Sequence, residues 1–301
     1  GHVALDFTVP SYVKLVRVRF SGYVQTHMYK GEVGLSGQNT STVTLFKDIQ
    51  TLLGTNGIAS EPVLLPTGVL ALPFSFRLPA TQLPASFEGT HGRVRYEIAA
   101  VVVRPGHLNK IVSANLTVPS TMSPEDPELE GPVEDLKERE VGRWVWRSGY
   151  FSAKAEIQKC GFASEDVIPI KIDITNQSGS GVVLKDIYLK QKVTYSTFNE
   201  IRGPQTERVH RLTFSESYPP TTRQISRTIH FPIPTTAIMS PTIRTSILEV
   251  SHVLCVKIAS TARFSPPIKL ELPIVVAGFP APYFDPGSGR GRASIDTLPL
   301  Y

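Results

Sequence analysis

The sequence predicts an all-β fold, with two antiparallel β-sandwich domains in tandem. Apolar residues recur with a period of two along most of the chain, and no stretch of a dozen residues keeps a 3.6-residue period. Clusters of Gly, Pro, Asn and Ser separate the alternating runs, as turns separate short strands.

Each element follows from the same alternation. In "KLVRVRF", Val16, Val18 and Phe20 face one way, with Leu15, Arg17 and Arg19 between them. In "RVRYEIA", Val94, Tyr96 and Ile98 alternate with Arg93, Arg95 and Glu97. The second half repeats the device: Ile170, Ile172 and Ile174 alternate with Lys171 and Asp173, and Leu248, Val250, Leu254 and Val256 share one face. Such strands belong to sheets with one buried face and one wet face. Between the two halves, "VPSTMSPEDPELEGPVEDLKEREVG" carries four prolines and little apolar pattern. It reads as an acidic, Pro-rich linker over residues 119–141, with one helical turn at "VEDLKER". The expected organisation is a first sandwich over 1–118, this linker, a second sandwich over 142–278, and a mobile Gly/Ser/Arg-rich tail over 279–301.

Composition narrows the class. With 301 residues, 41% hydrophobic and 19% charged, the chain can bury two cores and is neither disordered nor collagen-like. Two cysteines, Cys160 and Cys255, make no disulfide framework, which favours a reducing compartment. Sequons begin at Asn39, Asn115 and Asn176, but no signal peptide accompanies them and the tripeptide is common by chance. The longest apolar run, around "IAAVVV", is far shorter than a membrane-spanning helix. The segment Glu125–Glu140 has eight acids and two bases, a charge of −6; the whole chain carries +5, so the remainder carries +11. A basic body favours acidic partners, among them phosphorylated tails and an anionic membrane surface.

Catalysis finds no support. The seven histidines are scattered outside any compact ligand spacing, and "GSGRGR" fits neither a P-loop nor a dinucleotide fingerprint. His252, on an apolar strand face, reads as a hydrogen-bonded core histidine, and the two cysteines as inert thiols. No enzyme activity, cofactor, metal or nucleic-acid partner is expected.

Residues Leu72–Gly106, "LPFSFRLPATQLPASFEGTHGRVRYEIAAVVVRPG", resemble the amino-terminal sandwich of the α-arrestin family of arrestin-domain proteins. The matching parts are a Pro-Phe-x-Phe strand, Leu-Pro-x-Ser-Phe-Glu-Gly, a turn at Gly89 and Gly92, and Arg-Tyr-x-Ile-x-Ala. "TLFKDIQTLLGT" resembles a further segment of that domain, with Leu53 where an aromatic is often found. "FSAKAEIQKCGFASEDVIPIKIDITNQSG", with Gly161 and Asn176 in turns, resembles the start of the carboxy-terminal domain. "ILEVSHVLCVKI" and "KLELPIVVAGFP" resemble its last two strands. The resemblance covers residues 1 to 280 and implies the arrestin fold, two immunoglobulin-like sandwiches. "GHVALDF" looks like the family's second strand, so the first, with its Pro-Gly turn, is expected upstream. The buried charge cluster of visual-type arrestins is not placed in this sequence. Neither cysteine falls at the position used by thioredoxin-binding relatives.

The resemblance implies an adaptor that binds cytosolic tails of transporters or receptors and recruits a HECT-type ubiquitin ligase through its WW domains. Cargo would then be ubiquitinated and internalised, and the chain would be cytoplasmic, recruited to plasma membrane and endosomes. The ligase-binding residues would be Leu298, Pro299 and Tyr301, a variant of Pro-Pro-x-Tyr in which Leu298 fills the first apolar position. A WW domain holds such a ligand as polyproline II, with proline and tyrosine in neighbouring pockets. Bases of the second domain, Lys185, Lys190, Lys192, Arg202, Arg208 and Arg211, are the candidates for acidic or phosphorylated cargo. Two alternatives stand beside this reading. One is an arrestin-fold scaffold independent of the ligase, in retromer-like sorting or pH signalling; the other is a secreted sandwich adhesin.

Overall fold

The computed structural model describes residues 1–277, apart from 33–34, 56–60, 80–81, 121, 144–145, 199, 236–238 and 263–264. Among the described residues there are twenty strands and no α-helix. They fall into two units: Gly1–Gln25 with Thr42–Val118, and Thr26–Ser41 with the described residues from Pro119 to Ala277.

The first unit is built from β1 (His2–Phe7), β2 (Ser11–Val13), the parts of β3 (Leu15–Glu32) and β4 (Leu35–Gly54) that lie outside Thr26–Ser41, β5 (Val63–Leu65), β6 (Gly68–Pro73), β7 (Phe87–Gly89), β8 (Gly92–Val103) and β9 (Lys110–Leu116). One sheet has the order β4-β3-β8-β7, with β9 also paired to β8; β1 pairs with β6 and β2 with β5. Val16, Val18 and Phe20 are buried while Arg17 and Arg19 are not, as their alternation requires. Leu5, Val13, Val16 and Leu65 form a core cluster, with Val3, Phe7, Leu70 and Leu72 packed against it. Phe20 meets Phe46 edge-on with ring centroids 4.8 Å apart. The buried Tyr96 donates its hydroxyl proton to Pro84 O at 2.5 Å, which satisfies its one polar atom.

Two local expectations came out differently here. Phe74 and Phe76 do pack together, with centroids 5.8 Å apart, but they lie outside any strand. Gly89 and Gly92 pair across the β7–β8 hairpin, yet neither has a positive φ. Close side-chain packing needs no ladder in the first case, and in the second the hairpin closes without a left-handed residue at either glycine.

The second unit contains β10 (Val133–Arg143), β11 (Trp146–Ile157), β12 (Gly161–Ala163), β13 (Val167–Asn176), β14 (Val182–Ser196), β15 (Ile201–Thr213), β16 (Ser217–Tyr218), β17 (Gln224–Pro232), β18 (Ile243–Arg244), β19 (Leu248–Ser260) and β20 (Ile268–Ala277). One sheet runs β10-β11-β13-β17; the other runs β12-β20-β19-β14-β15, with β16 and β18 at its margins. One core cluster takes Phe151, Ile170, Ile172 and Phe231 from the first sheet and Leu189, Leu254, Val256 and Leu272 from the second, so the two sheets form a sandwich. Pairing is antiparallel apart from the short β12, which runs parallel to β20.

Residues 119–141, expected as a linker with one helical turn, hold a 3-10 turn at Pro127–Leu129 followed by the edge strand β10. "VEDLKER" is extended because its side chains tie β10 to the facing sheet. Asp135 Oδ2 accepts the Glu271 N–H at 2.8 Å, and Lys137 Nζ donates to Lys269 O at 2.7 Å. These bonds occupy backbone groups on β20, and the charged side chains guard an exposed edge.

Candidate functional site

The six bases proposed from sequence do not all share one surface. Tyr188, Lys190 and Lys192 project from the outer face of β14, opposite to the buried Ile187 and Leu189. Tyr188 lies opposite Arg211, and Lys190 opposite Arg208, with a bulge in β15 between these pairs. Arg208 and Arg211 are an odd number of positions apart, so a regular strand would send them to opposite faces; the bulge puts both on the outer one. A second bulge on β14 lies between Leu184 and Asp186, in the pairing with β19, and leaves Lys185 exposed at the end of the patch. Arg202 lies opposite Tyr195, whose side chain is buried, and so belongs to the other face. Four of the six bases are thus brought together.

Two acids partly neutralise them. Arg211 donates from Nη2 at 2.6 Å and from Nε at 3.0 Å to Asp186 Oδ1, and Asp186 is buried. Lys190 Nζ donates to Glu271 Oε1 at 3.1 Å and sits 5.6 Å above the Tyr188 ring. The Arg208 guanidinium lies 4.8 Å over the same ring. Four bases against two acids leave the face positive. Burial disfavours the charged Lys190, but the bond to Glu271 and the charge interactions with Cys255, Glu271 and Tyr188 together outweigh this and raise its pKa. Glu271 is held below the usual carboxylate range by the bond from Lys190. Beneath them Cys255 lies opposite Tyr188, and burial pushes both the thiol and the phenol up. A protonated, buried thiol is a poor nucleophile, so this face is suited to binding anions rather than to covalent chemistry. Sequence reasoning passed over Asp186 and Glu271. Asp186 could have been noticed beside Lys185, whereas Glu271 reaches Lys190 only through the strand pairing.

His252 is 1% exposed, as its apolar strand face implied, but only half satisfied. Its Nδ1 lies 3.1 Å from Thr242 Oγ1, which accepts the Val276 N–H at 2.9 Å. The threonine hydroxyl can therefore donate to Nδ1, which leaves the proton on Nε2; Nε2 has no partner among the described residues. Burial lowers the pKa to about 4. The unfolded imidazole takes up its proton near pH 6.5 and the folded one only near pH 4, so stability falls as pH drops through that window. His252 should account for a loss of about 2 kcal/mol at pH 5 relative to pH 7, read from urea unfolding. His252→Leu should remove this part of the pH dependence; an unchanged profile would refute the assignment.

The cysteines are free, with Cys160 Sγ 3.4 Å from Leu129 O. Asn176 is buried and donates from Nδ2 to Ser180 O at 2.8 Å, so that sequon is inaccessible in the folded unit. Among the described residues no group of His, Cys, Asp and Glu could hold a metal, and no helix is long and apolar enough to cross a membrane. Leu298, Pro299 and Tyr301 lie outside the described residues.

Residues 1–123 match the model of the arrestin (or S-antigen) N-terminal domain, and residues 147–281 that of the arrestin (or S-antigen) C-terminal domain. The chain belongs to the arrestin family. Its similar relatives identify it as an α-arrestin. Human arrestin domain-containing protein 4 is 29% identical over 190 residues, 62% of this chain and 46% of the relative. The mouse protein of that name is 35% identical over 122 residues, 40% of this chain and 29% of the relative. Mouse thioredoxin-interacting protein is 27% identical over 216 residues, 67% of this chain and 53% of the relative. This α-arrestin chain thus spans about half the length of the curated relatives it matches.

Proposed function

We propose that this α-arrestin is an adaptor without catalytic activity of its own, which joins cytosolic tails of membrane proteins to a HECT-type ubiquitin ligase. The observation that carries the reading is the combination, on one chain, of both arrestin domains and the Leu298-Pro299-x-Tyr301 sequence that follows them. The tail would engage the ligase's WW domains. The positive face around Lys190, Lys192 and Arg208 would engage acidic or phosphorylated cargo through charge-assisted bonds. Lys192 and Arg208 matter most, because Lys190 and Arg211 already bond to Glu271 and Asp186. The protein would act in the cytoplasm, at the plasma membrane and on endosomes. Thioredoxin binding, which one relative's name records, is not part of this proposal: Cys255 is buried with its pKa raised.

Removal of residues 279–301 tests the reading against the ligase-independent scaffold. In co-precipitation with a purified HECT-type ligase, the truncated chain should retain less than a tenth of the wild-type capture. Undiminished capture would favour the scaffold, which binds its partners through the sandwiches alone.

A further inference from the structure

One end of the first unit is apolar in a way that folding does not explain. Among the described residues, six of the fourteen exposed large hydrophobic ones gather there: Val9, Tyr12, Leu64, Val69, Leu108 and Ile111. Tyr12 and Leu64 are cross-strand neighbours in the β2–β5 pair, Val69 sits where β6 meets the end of β1, and Ile111 is the second residue of β9. The Lys14 N–H bonds Val103 O at 2.8 Å, which ties the loop before β3 to the β8–β9 turn.

That turn is built to present its apex. In "RPGHLNK", Pro105 and Gly106 occupy the central positions of a β-turn closed by the His107 N–H on Arg104 O at 3.3 Å, and Gly106 has φ +68°. The His107 ring bonds Pro105 O at 2.8 Å. Leu108 follows and is 92% exposed, where a polar residue would be the ordinary choice for a hairpin tip. The neighbouring loop, "TVPSYVK", shows Val9 at 63% and Tyr12 at 58%. Neither loop has an acid, and together they carry Lys14, Arg104, His107 and Lys110; Asp6 and Glu61 are the acids nearest in the chain. Between the loops a groove of about 630 Å³ places Val9 and Tyr12 beside Arg104 and His107.

We propose that these two loops form a membrane-docking tip, which inserts Leu108, Val9 and Tyr12 shallowly into an anionic bilayer. Apolar tips flanked by bases partition into the interface of apolar chains and charged headgroups. The charge of the unit agrees: Gly1–Gln25 and Thr42–Val118 hold nine Lys and Arg against five Asp and Glu, a net +4. The groove lets a headgroup phosphate meet Arg104 while the acyl chain meets Val9 and Tyr12. This inference does not rest on the ligase reading.

The test is co-sedimentation of the chain with phosphatidylcholine vesicles, with and without about a third phosphatidylserine. Wild type should bind the anionic vesicles and not the neutral ones. Leu108→Asp should weaken binding at least tenfold with an unchanged urea midpoint, since the side chain is exposed. Leu108→Trp should bind at least as well, with a blue-shifted fluorescence that brominated lipid quenches. A Lys192→Glu/Arg208→Glu variant separates the tip from the basic face of the second unit, and it should lose less binding than Leu108→Asp does. The proposal is overturned if wild type ignores both vesicles, or if Leu108→Asp binds as wild type does. A loss confined to the Lys192/Arg208 variant, or a Leu108→Asp effect confined to self-association, overturns it as well.

Discussion

Gly149→Ala is expected to destabilise the second unit by roughly 3 to 4 kcal/mol, the largest stability effect of any single methyl group considered. Gly149 has φ +99°, and a Cβ built there would lie 2.0 Å from Gln177 O. The Gln177 backbone cannot easily retreat. Its N–H bonds Tyr150 O at 2.9 Å, and the turn beyond it is closed by Asn176 Oδ1, which accepts the Ser178 N–H at 3.1 Å and the Ser178 hydroxyl at 2.7 Å. Strain at a left-handed residue and a backbone clash therefore add. Gly131→Ala is the control: no atom lies within 4 Å of its Cβ position, its φ is ordinary, and urea unfolding should shift by less than about 0.5 kcal/mol. Equal midpoints for the two variants would show that the Gly149 turn is not as tight as described.

The fold was largely legible because alternation reports burial directly. Ile170, Ile172 and Ile174 are buried, while Lys171 and Asp173 between them form an exposed ion pair at 3.5 Å. What alternation does not report is the facing sheet. β10 looked like a linker because four prolines precede it and its charges outweigh its few apolar residues, and the bonds from Asp135 and Lys137 to β20 join residues more than 130 positions apart. Nor does alternation reveal a bulge. A reading in strict steps of two separates Arg208 from Arg211 and misplaces Lys185, whereas the bulges set the actual faces. The bases of the face could be named from sequence, but their neutralising partners could not. Glu271 is 81 residues from Lys190. The consequence for binding is specific, because the charges left over for a partner are fewer than the count of bases suggests.

Tyr301→Ala is expected to have the largest effect on partner binding. In a Pro-x-Tyr ligand the tyrosine fills its own pocket, while the proline and the preceding apolar residue lie in the aromatic groove. Truncation to alanine removes the largest buried side chain of the motif, and Leu298 in place of a proline leaves little affinity in reserve. A loss of at least tenfold follows, about 1.4 kcal/mol or more. The substitution lies beyond both matched domains, so thermal unfolding of the two sandwiches should not change. A binding loss without a stability loss would assign the effect to recognition.

The central proposal, that this α-arrestin recruits a ligase through Leu298, Pro299 and Tyr301, is tested most directly by calorimetric titration of the 301-residue chain with the tandem WW domains of a HECT-type ligase. The predicted result is saturable binding by the wild type and at least tenfold weaker binding by Tyr301→Ala. Equal affinity for the two chains, or no binding by either, would contradict it.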